Sequence, residues 1–569
     1  MGLGEMKKPL RRGGLLTVLC AFVAGAFVLV LNLPWSPLFY SVVESDSGVY
    51  AYIGSAIVRG QVPYRDVWEQ KPPIGFYLDA LAVRLMGPSP WAIWWLDLIW
   101  IVLAAVLLML VLRKMMGLLP AFLASLIFVA GVMVPANFGG GNLMEIYSFV
   151  PQVLVIAAAY GFFATRRKRW VFLVGLLTGL AFMTKQTTIA LGLASVFTIL
   201  LMSLLWREGK SLFLHLLFFT LGFVLPLGIA TVYWSAVGAL NTFVAGVFLY
   251  SLKYVGVSAP FLWSVKHTAL NVFPQLFVSK LYAIACCAFL LYATENAKPF
   301  FRLLSPQSGA CADSTNDRIP PAELTMLVIF VALPIELVLT SLGGRNFGHY
   351  FLTLLPAVTI AIAYIIWKAT TFVKGRQYSL RKQSTWLGVG SLVLALGAVL
   401  WWASALAQDV PSTAQLESFP RIFSNQYTLG DIGDYIVANT TPADPVLIWH
   451  IHLGIDFTTN RRAPQRILFP AELFIPVDQA QGNLKEFLSQ MEQTPPKLIV
   501  VQKVSSISLP FVNVPVDQMC PNGACIPELA VSIKNPGTVA ELEEFRQYFL
   551  AHYFLKTQID DWLIYERLP

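Results

Sequence analysis

Long apolar runs recur along the chain and restrict its fold more than any other feature. The first run, residues 13–43, contains no charged residue, and runs of about 20 residues continue as far as residue 407. A run of this length can cross a bilayer as a helix. Only 13% of the residues are charged, against roughly 25% in an ordinary soluble domain. A soluble globular fold is excluded, and we expect a polytopic α-helical membrane protein.

The apolar runs predict about eleven transmembrane helices. The first run follows Lys7, Lys8, Arg11 and Arg12, is too long for a signal-peptide core and lacks a small-residue cleavage site, so we expect an uncleaved helix with a cytoplasmic N-terminus. Half of the 40 Lys and Arg residues fall in the loops that this orientation makes cytoplasmic, as the positive-inside rule requires. The further spans are predicted at residues 91–112, 118–136, 146–164, 170–184, 187–206, 212–237, 276–294, 322–341, 350–367 and 386–407.

The net charge of +8 follows from this topology. The basic residues are scattered between apolar runs and form no continuous basic stripe, so no nucleic-acid partner is expected. Membrane lipids are the expected surroundings. An odd number of crossings places the C-terminal part of the chain outside the cytoplasm.

The composition changes after residue 408, which predicts two domains. Residues 1–408 form the transmembrane domain and residues 409–569 an extracytoplasmic soluble α/β domain. Within the latter, strands are predicted at residues 445–451, 497–502 and 562–565 and helices at 483–492 and 540–550. Cys520 and Cys525 form either a disulfide or two free thiols, and the sequence leaves both alternatives open.

The loop after the first helix, residues 34–90, is long and rich in charge, which is typical of a functional loop. Residues 46–57 have helical apolar spacing and predict an amphipathic helix on the membrane surface, with Ser45 as its N-cap. Asp46 then lies in the first turn, where the helix dipole favours an ionised carboxylate. It is either a catalytic carboxylate or, with Glu44, only a stabiliser of the helix start.

Residues 63–73 follow in the same loop and combine charged, aromatic and proline residues. Lys71 precedes Pro72 and Pro73, which hold the backbone in a stiff, non-helical conformation. Its ammonium group could bind a phosphate as a point charge. The alternative is a lysine that extends towards lipid headgroups.

Two further loops contribute ionisable residues. Glu145 follows the flexible sequence 139–142 and enters the next helix, either to position a substrate or as another acid of a first turn. Lys185 interrupts an apolar stretch of two crossings, so it marks the turn between them. An ionisable residue near the membrane is a candidate functional residue, although a simple interfacial turn is the alternative.

The last informative loop lies between two late helices at residues 343–350. Arg345, His349 and Tyr350 could bind an anionic headgroup, since arginine offers a bidentate fork and tyrosine a hydroxyl donor. Each residue alone could be structural. All these loops are predicted on the same side of the membrane, and this convergence favours a functional site.

The order of these motifs resembles that of bacterial relatives of the protein mannosyltransferases and aminoarabinose lipid A transferases, which are GT-C glycosyltransferases of glycosyltransferase family 39. The resemblance covers residues 30–370 and implies a GT-C-like fold and a location in the plasma (inner) membrane. It also implies that a sugar is transferred, with inversion, from a polyprenyl-phosphate donor to an acceptor hydroxyl on the extracytoplasmic face. The acceptor is a glycan, a lipid or a protein. It is carried by Asp46, residues 64–73, the Lys185-Gln186 turn, and Gly343-Gly344-Arg345 leading to His349-Tyr350.

The resemblance also implies roles for single residues. Asp46 and, less closely, Glu145 correspond to catalytic acidic residues of the family. Lys71, Arg345 and Tyr350 correspond to phosphate-binding positions, and we group Lys185 and His349 with them. Some relatives have an acidic residue directly before the lysine, whereas this chain has Gln70 there. No metal ligand is therefore assigned, although a divalent metal stays possible as a cofactor.

Two rival functions stay open. A lipid-linked sugar transporter or flippase would need similar helices, but transporters usually show internal repeats and broken helices, which are not visible in this sequence. A non-catalytic polysaccharide-assembly subunit would not need Asp46 and Lys71. His450 and His452 share one strand face near Asp456, but two histidines without a clear third ligand are a weak indication of a metal site.

Overall fold

A helical body, a long helical loop and a small sheet make up the part of the chain that the computed structural model describes. This part comprises residues 8–39, 45–253, 261–304, 319–344, 347–374, 390, 427, 429–449, 452–468, 470–474, 480–502 and 533–569. The protein is an integral membrane protein of mainly helical structure with a C-terminal α/β unit, as the sequence predicts.

The helices of the body follow the apolar runs, and short helices connect them. The α-helices up to residue 374 are α1 (Lys8–Asn32), α2 (Ser45–Val58), α3 (Ile74–Met86), α4 (Pro90–Met116), α5 (Leu118–Val132), α6 (Pro135–Phe138), α7 (Met144–Thr165), α8 (Lys168–Phe182), α9 (Ala190–Leu205), α10 (Gly209–Ala236), α11 (Leu240–Val244), α12 (Phe261–His267), α13 (Phe277–Leu304), α14 (Pro321–Ser341) and α15 (Leu355–Lys374). A π-helical turn, Ala245–Tyr250, extends α11, and a 3-10 helix, Gly348–Leu354, precedes α15.

Seven helices of the described residues are long and apolar enough to cross a membrane. They are Gly14–Trp35, Pro90–Met116, Met144–Thr165, Ser211–Ala236, Phe277–Lys298, Pro321–Ser341 and Gly348–Val373. The predicted count of about eleven is not confirmed, because α5, α8 and α9 have 15, 15 and 16 residues. At 1.5 Å per residue they reach only about 24 Å, less than a hydrocarbon core of about 30 Å. The predicted span 386–407 lies outside the described residues apart from Gly390.

The loop of residues 34–90 is called the first outer loop after the side of the membrane on which the sequence predicts it. It contains two packed helices, α2 and α3, of which only α2 was predicted. Gly54 brings them into close contact, since a Cβ atom there would lie 2.6 Å from Cβ of Asp79. The prediction of an amphipathic α2 is wrong, because residues 47–56 are buried on every side. The C-terminal domain covers the face that was expected to meet solvent, and Tyr52 Oη accepts a hydrogen bond from the Ala463 amide at 2.8 Å.

In the part of the chain that the structure describes, the C-terminal domain is built around a four-stranded sheet. The strands β1 (Val446–Trp449), β2 (Leu498–Gln502), β3 (Tyr553–Ile559) and β4 (Trp562–Arg567) lie in the order β1-β2-β4-β3, with β1 parallel to β2 and the other pairs antiparallel. The helices are α16 (Gly430–Asn439), α17 (Gly454–Thr458), α18 (Ala480–Gln493) and α19 (Pro536–His552). Every predicted strand and helix of this domain is present, and β3, α16 and α17 are additional. Cys520, Cys525 and the boundary at residue 408 lie outside the described residues.

Strands β1 and β2 are buried on both faces, which joins the domain to the first outer loop. Alternate side chains of β1 and β2 point to opposite faces, as strand geometry requires. Leu447 and Val501 pack with α18 and α19, whereas Ile448 and Val500 enter one apolar core with Val49 of α2. The first outer loop and the C-terminal domain therefore share a core above the helical body.

Candidate active site

Asp46 is the most open carboxylate in a cluster of charged residues at the loop end of the helical body. Helix α2 begins at Ser45, so Asp46 lies in its first turn, as predicted. The Tyr50 hydroxyl, one turn further on, donates to Asp46 Oδ2 at 3.3 Å. His349 Nε2 lies 3.9 Å from the same oxygen. The Asp46 side chain is 40% exposed, so it is accessible to an incoming molecule.

A buried ion pair lies beside this open carboxylate. The Lys185 ammonium pairs with the Glu145 carboxylate, and their side chains are only 7% and 4% exposed. Burial lowers the pKa of Lys185, while the charge of Glu145 opposes this shift. Lys185 Nζ also lies 4.0 Å from the centroid of the Tyr350 ring, a distance typical of a cation–π contact. Lys185 and Glu145, both predicted as site residues, thus hold each other in position.

The 3-10 helix before α15 supplies His349 and Tyr350 together. Their rings meet edge to face with centroids 4.8 Å apart, and Phe347 stacks on His349 at 5.6 Å. His349 interacts electrostatically with both Asp46 and Glu145. It therefore connects the open carboxylate to the buried ion pair. Arg345, predicted to act with these residues, lies outside the described residues.

The backbone around Lys71 is held by hydrogen bonds from two directions. The Tyr64 hydroxyl donates to the Lys71 carbonyl at 2.8 Å, and the Gln186 side-chain amide donates to the Gln70 carbonyl at 3.1 Å. Burial raises the pKa of Glu69, and the charge of Lys71 opposes this shift. Lys71 also interacts electrostatically with Lys185. The Lys-Pro-Pro segment and the Lys185-Gln186 turn are thus neighbours, although 114 positions separate the two lysines.

The C-terminal domain adds Glu472 to the cluster, which sequence reasoning missed. Glu472 is 6% exposed, and its Oε1 accepts a weak hydrogen bond from the Gln70 side chain at 3.4 Å. Its Oε2 is buried and has no hydrogen-bond partner among the described residues. Burial raises the pKa of Glu472 well above its usual value, and the nearby Glu69 adds to the shift. No local motif marks this residue, since only the folded chain places it near Gln70.

A hydrogen-bond network next to the cluster fixes the loop of residues 139–143, which we call the second outer loop after its predicted side. Asn142 donates its backbone amide to Asp97 Oδ2 at 2.6 Å and its side-chain amide to the Ser47 carbonyl at 2.8 Å. Asn142 has a positive φ of 52°, a conformation that Asn tolerates better than most residues. Because Ser47 follows Asp46 and Glu145 follows this loop, the network sets the relative positions of the two acidic residues.

The structure brings together six of the seven predicted site residues, and only Arg345 is outside the described part. The six are Asp46, Lys71, Glu145, Lys185, His349 and Tyr350. Tyr50 was missed as a site residue, although its position four residues after Asp46 predicts contact on one helix face. Within the ranges that the structure describes, no group of three His, Cys, Asp or Glu residues is arranged to hold a metal ion. His450 lies outside these ranges.

A known protein family matches a segment of the chain that contributes residues to this cluster. Residues 70–234 match the family model described as dolichyl-phosphate-mannose-protein mannosyltransferase. The predicted family resemblance is confirmed. The matched segment contains Lys71, Glu145 and Lys185, so it includes three of the clustered residues. The chain is thus similar to GT-C glycosyltransferases in the segment that supplies these side chains. No curated protein matches the chain.

Two solved structures are similar to the chain over most of its length. ArnT from Cupriavidus metallidurans, crystallised with undecaprenyl phosphate, is 15% identical, with a TM-score of 0.48, and the match covers 97% of this chain and 98% of that chain. The Archaeoglobus fulgidus oligosaccharyltransferase, tethered with an acceptor peptide, is 13% identical, with a TM-score of 0.45, and the match covers 97% of this chain and 74% of that chain.

Proposed function

We propose that the protein transfers a sugar from a polyprenyl-phosphate donor to an acceptor hydroxyl, with inversion, on the extracytoplasmic face of the plasma (inner) membrane. The observation that carries this proposal is the open Asp46 carboxylate next to a set of cations at the end of a helical membrane body. The description of the matching family, which names dolichyl-phosphate mannose, supports a lipid-linked donor. Such a donor stays in the bilayer and presents its headgroup at the surface, where these residues lie.

Asp46 acts in this proposal as the base for the acceptor. The hydroxyl oxygen attacks the anomeric carbon, the bond from that carbon to the phosphate oxygen breaks, and the hydroxyl proton passes to the Asp46 carboxylate. The bonding electron pair leaves with the polyprenyl phosphate. Attack from the side opposite to the phosphate inverts the anomeric configuration. Tyr50 and His349, both next to Oδ2, orient the carboxylate.

Cations stabilise the charge that develops on the departing phosphate. The donor phosphate is a diester with one negative charge, and the product is a monoester that carries more, so a cation here acts most strongly in the transition state. Lys71 is the proposed point charge, and Arg345 and Tyr350 are the further residues proposed to bind the phosphate. We assign Glu145 the role of holding Lys185, because a carboxylate in a buried ion pair is a poor base for an external hydroxyl.

The direct test is turnover by the purified protein in lipid nanodiscs. The assay supplies synthetic polyprenyl-phosphate sugars and a panel of lipid, glycan and peptide acceptors, and it measures the release of polyprenyl phosphate and the anomeric configuration of the product. We expect acceptor-dependent release with inversion. Movement of intact donor between leaflets without cleavage would support a transporter, and donor binding without release would support a non-catalytic assembly subunit.

The proposed orientation is tested separately by cysteine labelling. We expect a single cysteine at position 46, which is partly exposed, to react with a membrane-impermeant reagent added outside, and one at the exposed position 167 to react only after the cytoplasmic side is opened. This pattern follows from the distribution of Lys and Arg between the loops. Exclusive labelling of position 46 from the cytoplasm would contradict the proposed mechanism.

A further inference from the structure

A cavity of about 230 Å³ lies between the C-terminal domain, the first outer loop and the segment that follows α10. Its lining includes Trp68, Tyr250, Lys253, Arg466, Glu472 and Asn483. For scale, a cavity of about 150 Å³ accommodates one benzene molecule. The space is therefore sufficient for one six-membered ring with substituents.

The walls of the cavity are held by contacts between the three segments. The Trp68 amide donates to the Arg466 carbonyl at 2.9 Å, which ties the loop to the domain. The Trp68 and Tyr250 rings meet edge to face with centroids 4.9 Å apart. Arg466 is held by Glu486, with Nη2 and Oε2 2.7 Å apart. The cavity is thus a formed site between these segments.

The polar groups of the lining match hydroxyl groups better than an anion. Of the two cations in the lining, Arg466 is already paired with Glu486 and Lys253 is exposed to solvent, and Glu472 would repel an anion if ionised. Burial raises the pKa of Glu472, and a protonated carboxyl both donates and accepts hydrogen bonds. Its buried Oε2 has no partner among the described residues. Asn483, on the same wall, adds an amide that can donate and accept.

We propose that this cavity is a subsite for one sugar ring. Aromatic side chains combine an apolar surface with polar groups at the edge, and a sugar ring has an apolar C–H face and a rim of hydroxyls. The Trp68 and Tyr250 wall takes the apolar face, while Glu472 and Asn483 bind hydroxyls. The assignment of the ring to a substrate rests on the proposed function: it is the donor's sugar or a terminal sugar of the acceptor.

The position of Glu472 connects this subsite to the candidate active site. Its Oε1 accepts from Gln70, the residue before Lys71, and its charge interacts with Glu69 and Asp46. A ring in the cavity therefore lies next to the proposed phosphate and base positions. The subsite gives the C-terminal domain a direct part in substrate recognition.

The experiment compares a variant whose new side chain fills the cavity with a matched variant whose new side chain lies outside it. Ala245→Trp places an indole in the cavity from an exposed lining position, and Leu252→Trp places the same group on an exposed position of the same segment that does not line it. Two milder variants accompany them: Glu472→Gln keeps the shape of the side chain, and Asn483→Ala removes one amide from the lining. Thermal unfolding in detergent verifies that each variant is folded.

The first measurement needs no turnover. Saturation-transfer NMR with a panel of methyl glycosides reports binding to the protein in nanodiscs. We expect ring-proton signals for at least one glycoside, their loss in Ala245→Trp, and a decrease of about fivefold or more in Asn483→Ala. We expect little change in Glu472→Gln, whose amide also donates and accepts hydrogen bonds, and no change in Leu252→Trp. Absence of binding to the wild-type protein, or equal signals in folded Ala245→Trp, would overturn the subsite.

The second measurement separates the two sources of the sugar. If the ring belongs to the donor, Ala245→Trp removes the preference for polyprenyl-phosphate sugar over polyprenyl phosphate alone. If it belongs to the acceptor, this preference is unchanged and the acceptor KM rises about tenfold or more. Transfer that is unaltered in both respects overturns the subsite while the proposed function stands. Glycoside binding without any transfer overturns the proposed function while the subsite stands.

Discussion

Two charged clusters lie at opposite ends of the apolar span Gly348–Val373, which carries His349 near its start and Lys368 near its end, and they differ in how completely their charges are paired. At one end, Lys368 Nζ lies 2.7 Å from a carboxylate oxygen of Glu295 and 2.7 Å from one of Glu323. Tyr364 donates to Glu295 at 2.9 Å, and Asn296 donates to Glu323 at 3.2 Å. We call these five residues the Lys368 cluster. Glu323 lies near the start of α14, about 27 Å along the helix from its last residue, Ser341.

At that other end, charges converge without complete pairing. Among the described residues, Asp46 accepts a hydrogen bond from the Tyr50 hydroxyl at 3.3 Å, and the His349 imidazole lies 3.9 Å away. The buried Oε2 of Glu472 has no hydrogen-bond partner among the residues that the structure describes. We call the group formed by Asp46, Lys71, Glu145, Lys185 and His349 the Asp46 cluster. A paired buried cluster stabilises the fold, whereas polar groups left open are available to a ligand.

The largest effect is expected when each cluster loses its central lysine. Lys185→Met leaves Glu145 unpaired in a buried position, and Lys368→Met does the same to Glu323. Each change should lower the free energy of unfolding by about 3–5 kcal/mol. Turnover per folded molecule should collapse in Lys185→Met and stay within about twofold in Lys368→Met. Thermal unfolding and initial rates measure both quantities.

A double variant separates pairing from chemistry at the Asp46 cluster. Glu145→Gln combined with Lys185→Met removes both charges, so most of the lost stability should return. Turnover should remain low, because the cation next to Tyr350 is still absent. Full recovery of turnover in the double variant would mean that this ion pair is only structural.

A smaller effect is expected at the glycines of the second outer loop. A Cβ at Gly141 would lie 2.2 Å from Asp97 Oδ2, whereas one at Gly139 would meet nothing within 4 Å. Both glycines have a positive φ, so both Ala variants carry backbone strain of about 1–3 kcal/mol. Only Gly141→Ala should also displace the Asn142 network and reduce turnover. Equal turnover in both variants, measured at matched folded fractions, would show that the network does not position Asp46.

The smallest of these effects concerns donor binding. Lys71→Ala should weaken binding of a polyprenyl-phosphate sugar about tenfold, or roughly 1.4 kcal/mol, because one cation near the phosphate is lost. Arg345→Ala should act similarly, and the double variant should be non-additive if both cations contact one phosphate. Lys168→Ala, at the start of α8, is the control. Unchanged affinity in both single variants would place the phosphate elsewhere.

The sequence was sufficient to predict the membrane class and the convergence of the loops. The length of the apolar runs and the positions of the basic loops predict the bilayer crossings. Loops on the same side of a membrane lie close together, so their charged residues are expected near one another. The count of spans was less predictable, because α5 and α9 are apolar along their whole length yet too short to cross by length alone. Apolar composition describes burial and does not distinguish lipid from protein as the surroundings.

Contacts between distant segments were beyond prediction from the sequence. The amphipathic interpretation of α2 failed because the polar-looking face is covered by residues more than 400 positions away, such as Ala463. Glu472 was missed for the same reason. Glu145 and Lys185 were found individually, but their pairing depends on how α7 and α8 pack, which no local pattern encodes.

The replacement Asp46→Asn is the most direct test of the proposed base. It keeps the size of the side chain and removes its charge and basicity, so we predict a fall in turnover of about a hundredfold or more, with donor affinity and thermal stability close to wild type. Asp66→Asn is the matched control, since this acid of the same loop is paired with Arg65 and should leave turnover nearly unchanged. Release of polyprenyl phosphate, measured with acceptor present on folded protein, gives the result. Near-wild-type turnover of Asp46→Asn would contradict the assignment of Asp46 as the catalytic base.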